Sequence, residues 1–107
     1  NPNDMQQMMQ KAQEMQSKMG ELQAELAVRR FEASAGGGMV SAAVSGGLRV
    51  LSVEIEPGLI ADNDRGMIQD LTAAAVNAAL TKAQEAVAAE MAKMQNSMLS
   101  GLPGMGQ

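Results

Sequence analysis

The chain has 107 residues, enough for one small domain, because a second hydrophobic core would have too few residues to close. It contains no cysteine and no histidine, which excludes disulfides, thiolate nucleophiles, the usual zinc ligand sets and the commonest general base. Its net charge of −4 opposes any argument for nucleic-acid binding from bulk charge, and no apolar run approaches the roughly 20 residues of a transmembrane helix.

The first predicted element is a long helix over residues 3–28, in which apolar residues recur at intervals of three and four. The positions with this spacing are Met5, Met8, Ala12, Met15, Met19, Leu22 and Leu26. A seven-residue repeat held over three heptads is typical of a coiled-coil seam. A helix of about 26 residues spans about 39 Å, more than a small sheet can cover. We therefore predict that part of the seam meets a second chain; the alternative is an amphipathic helix that packs on its own sheet.

Three short strands follow, each with alternating apolar and polar residues. The apolar positions are Phe31, Ala33 and Ala35 in the first strand, Val40, Ala42 and Val44 in the second, and Leu51, Val53 and Ile55 in the third. Alternation with a period of two marks strands that bury one face. Glycine-rich turns separate the strands, so we predict a three-stranded antiparallel meander.

The glycines of the first turn, Gly36–Gly38, could belong either to a phosphate-binding loop or to a hairpin. A phosphate loop requires a following helix and usually ends in GK[ST], whereas here a strand follows and no lysine is near. A two- or four-residue turn pairs Ala35 with Val40 and keeps the apolar residues on one face. We therefore predict a hairpin turn with positive φ. The same argument predicts a two-residue turn at Gly46–Gly47.

A second long, alanine-rich helix is predicted from about residues 62–64 to residue 96, with N-cap candidates at its start. Its apolar stripe contains Ile68, Leu71, Val76, Leu80, Ala83, Val87, Met91 and Met94. The predicted fold class is α+β, in the order helix, three-stranded antiparallel meander, helix (α-β-β-β-α). We predict one domain over residues 1–97 and a flexible tail containing glycine and proline over residues 98–107.

The sequence shows no catalytic constellation. Glu54 and Glu56 share a strand face, but they lack a hydrophobic pocket to raise either pKa and any further metal ligand. The serines have no histidine to activate them. We therefore predict that the protein is not an enzyme and that it uses no metal, cofactor or small-molecule substrate.

Phosphate binding needs positive charge locally, and a two-fold dimer would present every lysine and arginine twice. Phe31 is the only aromatic residue, which argues against base stacking on single strands. Any binding to nucleic acid should therefore be weak to moderate and strongly salt-sensitive.

The sequence resembles the YbaB/EbfC family of bacterial nucleoid-associated proteins. The similarity is carried by the first helix, rich in Met and Gln, by the run "EASAGGGMVSAAVSGGLRVLSVEIEPGLI" and by "MIQDLTAAAVNAALTKAQE", and it covers nearly the whole chain. The resemblance implies a small cytoplasmic, nucleoid-associated homodimer with a shared central sheet and protruding helical arms. It also implies binding to double-stranded DNA with little or mild sequence selectivity, in nucleoid organisation and gene regulation.

The resemblance implies that basic residues of the arms and the arm base contact DNA. These candidates are Lys11, Lys18, Arg29, Arg30, Lys82 and Lys93. Candidate dimer-interface residues are Met8, Met15, Met19, Leu22, Leu26, Phe31, Val76 and Leu80. The first helix could pair with its own copy or with the second helix of the partner. The alternative function is a protein–protein adaptor that uses the Met-rich arms without contacting DNA, because methionine adapts to irregular partners.

Overall fold

The computed structural model describes residues 1–100, and its elements follow the predicted order with one short helix added. Helix α1 spans Pro2–Val28; strands β1, β2 and β3 span Arg30–Ala35, Val40–Ser45 and Val50–Ile55; helices α2 and α3 span Pro57–Ala61 and Arg65–Ser100. The three strands form one antiparallel sheet in the order β1-β2-β3, so the predicted meander is confirmed. Helix α3 continues through Ser100, and residues 101–107 of the predicted tail lie outside the described residues.

The molecule is much longer than it is wide, with extents of 74 × 25 × 14 Å. Its Cα radius of gyration is 20.9 Å, whereas a compact domain of this length has about 13 Å. We call the sheet and residues 65–87 of α3 the head, and α1 with residues 88–100 of α3 the arm. The long helices extend beyond the sheet, as their predicted lengths required.

The core of the head is formed by an alanine stripe of α3 on one face of the sheet. Ala75, Ala79 and Ala83 are fully buried, and they are four residues apart, so they share one face of the helix. They pack with Phe31 of β1 and with the apolar residues of β2. Because an alanine side chain is a single methyl group, the helix can lie close to the strands.

The hairpin between β1 and β2 has the predicted register. Ala35 pairs with Val40, and four residues form the turn between them. The φ angles of Gly36, Gly37 and Gly38 are 63°, 68° and 97°, in the left-handed region that glycine adopts without strain. The glycines are therefore a hairpin turn, as predicted.

The predicted two-residue turn between β2 and β3 is wrong. The loop has three residues, Gly46–Leu48, and it is closed by a hydrogen bond of 2.9 Å from the Ser45 N–H to the carbonyl of Arg49. Leu48 has a φ of 64°, where glycine is the usual residue of a three-residue hairpin loop. Because this leucine does not look like a turn residue, the sequence pattern gave a loop that is one residue too short.

A β-bulge compensates for the odd loop. The register shifts between Ala43 and Val44, so Leu51 is the extra residue on β3. The additional loop residue alone, or the bulge alone, would turn the apolar side chains of β3 to the other face of the sheet. Together, the two shifts cancel. Val53 pairs with Ala42 and still shares its face, as the alternation predicted.

Helix α1 is fixed to the head at the β2–β3 hairpin. The Gly46 N–H donates to the carbonyl of Arg29, and the Gly47 N–H donates to the carbonyl of Ala27, both at 3.1 Å. A Cβ on Gly46 would overlap the carbonyl group of Leu26, so only glycine fits there. This close backbone contact sets the direction in which the arm leaves the sheet.

Candidate nucleic-acid interface

The contact between α1 and α3 weakens from the base of the arm toward its tip. Leu26 is 1% exposed, Met15 and Met19 are partly buried, and Met8 is 72% exposed. Over its second half, the predicted seam therefore packs toward α3 of the same chain, and over its first half it faces solvent.

Three of the predicted DNA-binding lysines lie along the groove between the two arm helices. Lys11 and Lys18 line a cavity of about 210 Å³, and Lys93 lines a neighbouring cavity of about 250 Å³. Met94 borders both cavities. Lys11 and Lys18 are two helical turns apart, which is about 10 Å along α1. Within residues 1–100, none of these three lysines forms an ion pair.

Carboxylates accompany these lysines in the groove. Glu14 lines the first cavity together with Lys11 and Lys18, and Glu90 lines the second together with Lys93. Positive and negative side chains are therefore interspersed along the arm groove. The lysine ammonium groups, which sit on long flexible stems, supply positive charge locally rather than as a broad basic surface.

The two predicted arginines lie where the arm meets the sheet, and both are paired. Arg29 forms ion pairs with Glu25 in the preceding turn and with Glu90 of α3, the latter at 4.0 Å. The hydrogen bond that the Arg29 guanidinium donates to the Glu25 carboxylate raises the pKa of Arg29. Arg30 pairs with Glu32 on β1 at 2.8 Å. The charge of the arm base is thus largely compensated within the chain.

Lys82 lies on the head, apart from the arm lysines. Its Nζ donates a hydrogen bond of 2.9 Å to the backbone carbonyl of Glu32. The lysine therefore reaches across the outer edge of β1 and occupies a backbone group that an added strand would use. A prediction from residue type alone could not separate Lys82 from Lys11 and Lys18.

The predicted dimer-interface residues differ widely in burial within one chain. Leu26 and Phe31 are buried, Met8 is exposed, and the others are partly buried: Met15, Met19, Leu22, Val76 and Leu80. Phe31 belongs to the core of the head.

Strand β3 carries an exposed apolar surface that was not predicted from the sequence. Val50, Leu51 and Val53 are 50%, 50% and 39% exposed, because α3 lies over β1 and β2 and barely reaches β3. The sequence held a signal for this surface. Val50 and Leu51 are adjacent apolar residues that break the alternation, as expected for a strand with apolar groups on both faces.

Two α3 residues extend this surface. At about 100° per residue, Val76 and Leu80 lie on the opposite side of the buried alanine stripe from Lys82. Because Lys82 reaches the β1 edge, Val76 and Leu80 lie on the flank toward β3. We call Val50, Leu51, Val53, Val76 and Leu80 the β3-edge surface.

The side chains of the acidic pair Glu54 and Glu56, which the sequence gave no reason to regard as a site, are both exposed. Glu54 and Glu56 lie on the surface at the end of β3. Within residues 1–100, no three acidic side chains are arranged to hold a metal ion, and no helix is apolar and long enough to cross a membrane.

The model of the YbaB/EbfC DNA-binding family matches residues 2–98. A nucleoid-associated protein of Syntrophobacter fumaroxidans is 44% identical over 97 residues, covering 91% of this chain and 86% of the relative. A second nucleoid-associated protein, from Thermoanaerobacter pseudethanolicus, is 41% identical over 98 residues, covering 92% of this chain and 86% of the relative.

A crystal structure of an uncharacterised protein from Helicobacter pylori has the same fold. It is 20% identical and superimposes with a TM-score of 0.66, covering 78% of this chain and 88% of the other. The matched family is defined by DNA binding and is not a family of enzymes. With a family match over residues 2–98 and relatives above 40% identity, the chain belongs to the YbaB/EbfC DNA-binding family.

Proposed function

We propose that the protein is a bacterial nucleoid-associated protein that binds double-stranded DNA as a homodimer through its arms. The observation that carries this proposal is the line of Lys11, Lys18 and Lys93 along the arm groove, in a chain of a DNA-binding family. Lysines contact phosphates, which carry no sequence information, so binding has little or mild sequence selectivity. The nucleoid, where duplex DNA is concentrated, is the proposed location.

The proposed dimer forms at the edge of β3. Lys82 occupies one carbonyl of the β1 edge, whereas β3 presents an exposed apolar surface. Natural proteins protect such edges or pair them. Antiparallel pairing of two β3 strands would join two sheets into one of six strands with two-fold symmetry. Val76 and Leu80 would then meet the partner, while Met15 and Met19 remain against α3 of their own chain.

This dimer would present six groove lysines to DNA. Each phosphate contact releases counterions, so six contacts predict a slope of about −5 in a plot of log affinity against log salt concentration. The net charge of −4 per chain opposes binding over long distances, and salt screens this repulsion. Counterion release at the phosphate contacts acts in the opposite direction and is the larger effect, so binding should weaken sharply as salt rises.

A titration of labelled duplex DNA at several salt concentrations tests the DNA contacts. Changing Lys11→Glu together with Lys18→Glu should lower affinity at least tenfold and reduce the salt slope, because four of the six proposed contacts are reversed in charge. The matched control is Arg49→Glu with Arg65→Glu, the same change of charge outside the arm groove. Equal losses in both variants, or no binding by the unaltered protein at low salt, would contradict the proposal.

Light scattering coupled to size exclusion tests the dimer. The molar mass measured for the unaltered protein should be twice the chain mass of 11.2 kDa. The Val53→Lys variant should have the mass of one chain, because the substitution places a charge in the paired edge. Val28→Lys is the control, since Val28 is 77% exposed at the end of α1 and lies outside the β3-edge surface. A dimer that survives Val53→Lys would place the interface elsewhere.

A second candidate function is a protein–protein adaptor. It is favoured by Met5, Met8 and Met9, which are 66%, 72% and 62% exposed near the tip of α1, because methionine is common on surfaces that bind varied partners. Nuclease treatment during purification from cells separates the two functions. Specific partners that stay bound without nucleic acid, together with no affinity for pure duplex DNA, would favour the adaptor.

A further inference from the structure

Methionine is the only side chain in this sequence that mild oxidants attack readily. The chain has eleven methionines and no cysteine, tryptophan, tyrosine or histidine. Peroxide converts a methionine thioether to the sulfoxide, and methionine sulfoxide reductases reverse the change. With no thiol to compete within the chain, peroxide that reaches this protein reacts at its methionines.

These methionines are concentrated in the arm. Five lie in α1 and three in the last ten residues of α3: Met5, Met8, Met9, Met15, Met19, Met91, Met94 and Met98. They form two groups of different accessibility. Met5, Met8 and Met9, which we call the tip methionines, are strongly exposed, whereas those between the helices are partly buried.

Three partly buried methionines lie beside the proposed DNA-binding lysines. Met15 of α1 and Met94 and Met98 of α3 line the cavity of about 210 Å³ that Lys11 and Lys18 also line. We call these three the groove methionines. They supply the sulfur-rich apolar contact between the two arm helices, and the cavity between them gives a small oxidant room to reach the sulfur atoms.

A sulfoxide would change this contact from apolar to polar. The sulfoxide oxygen is a strong hydrogen-bond acceptor, and burying it without a donor costs free energy. The side chains of Lys11, Lys18 and Ser97 line the same cavity, and each carries a group that can donate to this oxygen. A sulfoxide in the groove would therefore both loosen the two helices and draw these lysines inward, away from a phosphate.

We propose that the groove methionines are reversible oxidation sites through which peroxide weakens the α1–α3 contact and, with it, DNA binding. In the reaction the thioether sulfur attacks one peroxide oxygen, an S–O bond forms, the O–O bond breaks, and the second oxygen leaves as water. The sulfur is oxidised by two electrons and the peroxide is reduced. Reduction by two thiols returns the thioether and releases a disulfide and water. The effect on DNA rests on the proposed function, whereas the effect on the arm does not.

The test combines peroxide treatment, peptide mass spectrometry and amide hydrogen exchange on the full chain. In the oxidised protein, amide hydrogens of residues 11–22 should exchange about tenfold faster than in the reduced protein. A shift of this size in a local opening equilibrium is typical when the packing of one side chain is disturbed. Duplex DNA affinity should fall about as much. Methionine sulfoxide reductases A and B with dithiothreitol should restore both.

Two leucine variants assign the effect to the groove, because exchanging Met for Leu conserves volume and removes the reactive sulfur. Met15→Leu, Met94→Leu, Met98→Leu should make exchange and DNA affinity insensitive to peroxide. The matched control, Met5→Leu, Met8→Leu, Met9→Leu, should stay as sensitive as the unaltered chain.

The proposal is overturned if the groove variant responds to peroxide like the unaltered chain, or if the groove methionines stay reduced while the tip methionines are fully oxidised. If unoxidised protein does not bind DNA, the proposed function fails, and the exchange measurement still decides whether the arm opens on oxidation.

Discussion

The head and the arm are packed with different apolar residues, and this difference sets how firmly each is held. In the head, Ala75, Ala79 and Ala83 are fully buried against the sheet. In the arm, long methionine side chains meet across a groove that retains cavities of about 210–340 Å³. Short, stiff side chains fix one distance between elements, whereas flexible thioethers tolerate several. The molecule therefore joins a rigid base to adaptable helices.

The largest effect is expected where head and arm join. Gly46→Ala places a methyl group on the carbonyl of Leu26, so the hairpin or the end of α1 must move. We expect a loss of about 3 kcal/mol in the free energy of unfolding, measured by denaturant titration. Gly37→Ala is the control, since it has a φ of 68° but open space around it, and should cost only about 1 kcal/mol. Equal losses would mean that the junction is not tightly packed.

Overfilling the alanine stripe should cost nearly as much. Ala79→Leu forces three additional carbons between α3 and the sheet, which typically costs about 1–3 kcal/mol. Ala88→Leu, on the exposed side of the same helix, should leave the unfolding midpoint almost unchanged. If Ala79→Leu were tolerated equally well, the head would be as adaptable as the arm.

Truncation in the arm should cost less than truncation at its base. Leu26→Ala removes a side chain that is 1% exposed and should lower the free energy of unfolding by about 3 kcal/mol. Met94→Ala removes one that borders cavities and solvent, so we expect about 1 kcal/mol. Thermal unfolding followed by circular dichroism compares the two variants. A larger loss for Met94→Ala would show that the arm groove is packed more tightly than the base of the arm.

The smallest expected change has the opposite sign. Leu48 has a φ of 64°, a conformation that strains leucine and that asparagine adopts more readily. Leu48→Asn should raise the free energy of unfolding by about 0.5 kcal/mol. Leu51→Asn, on the neighbouring strand, should not raise it. A loss of stability with Leu48→Asn would show that the leucine side chain makes contacts that outweigh the strain.

Much of the fold could be predicted because local patterns and packing agree. The heptad spacing of α1 and the three glycines after β1 gave a helix and a hairpin that the structure confirms. The β2–β3 loop could not be predicted, because it places Leu48 where glycine is usual and is compensated by a bulge. Helix α2 was missed because Pro57–Ala61 is too short to show a helical period.

The candidate site was predictable only where local sequence spacing determines which side chains lie together. Lys11 and Lys18 are seven residues apart on one helix, so their shared groove follows from the sequence. The role of Lys82 depends on its hydrogen bond to a carbonyl fifty residues earlier, which no local pattern encodes. The exposure of β3 likewise depends on where α3 crosses the sheet, a property of the assembled head.

The hydrogen bond from Lys82 to the Glu32 carbonyl has a consequence for how many copies can join. A sheet with two open margins can add neighbours without limit and grow into a fibre, as stacked strands do in amyloid. Here Lys82 covers one carbonyl of the β1 margin, which hinders pairing there and favours the β3 margin as the place for another strand. In the proposed dimer, two molecules that meet there would satisfy each other, and growth would end with the pair.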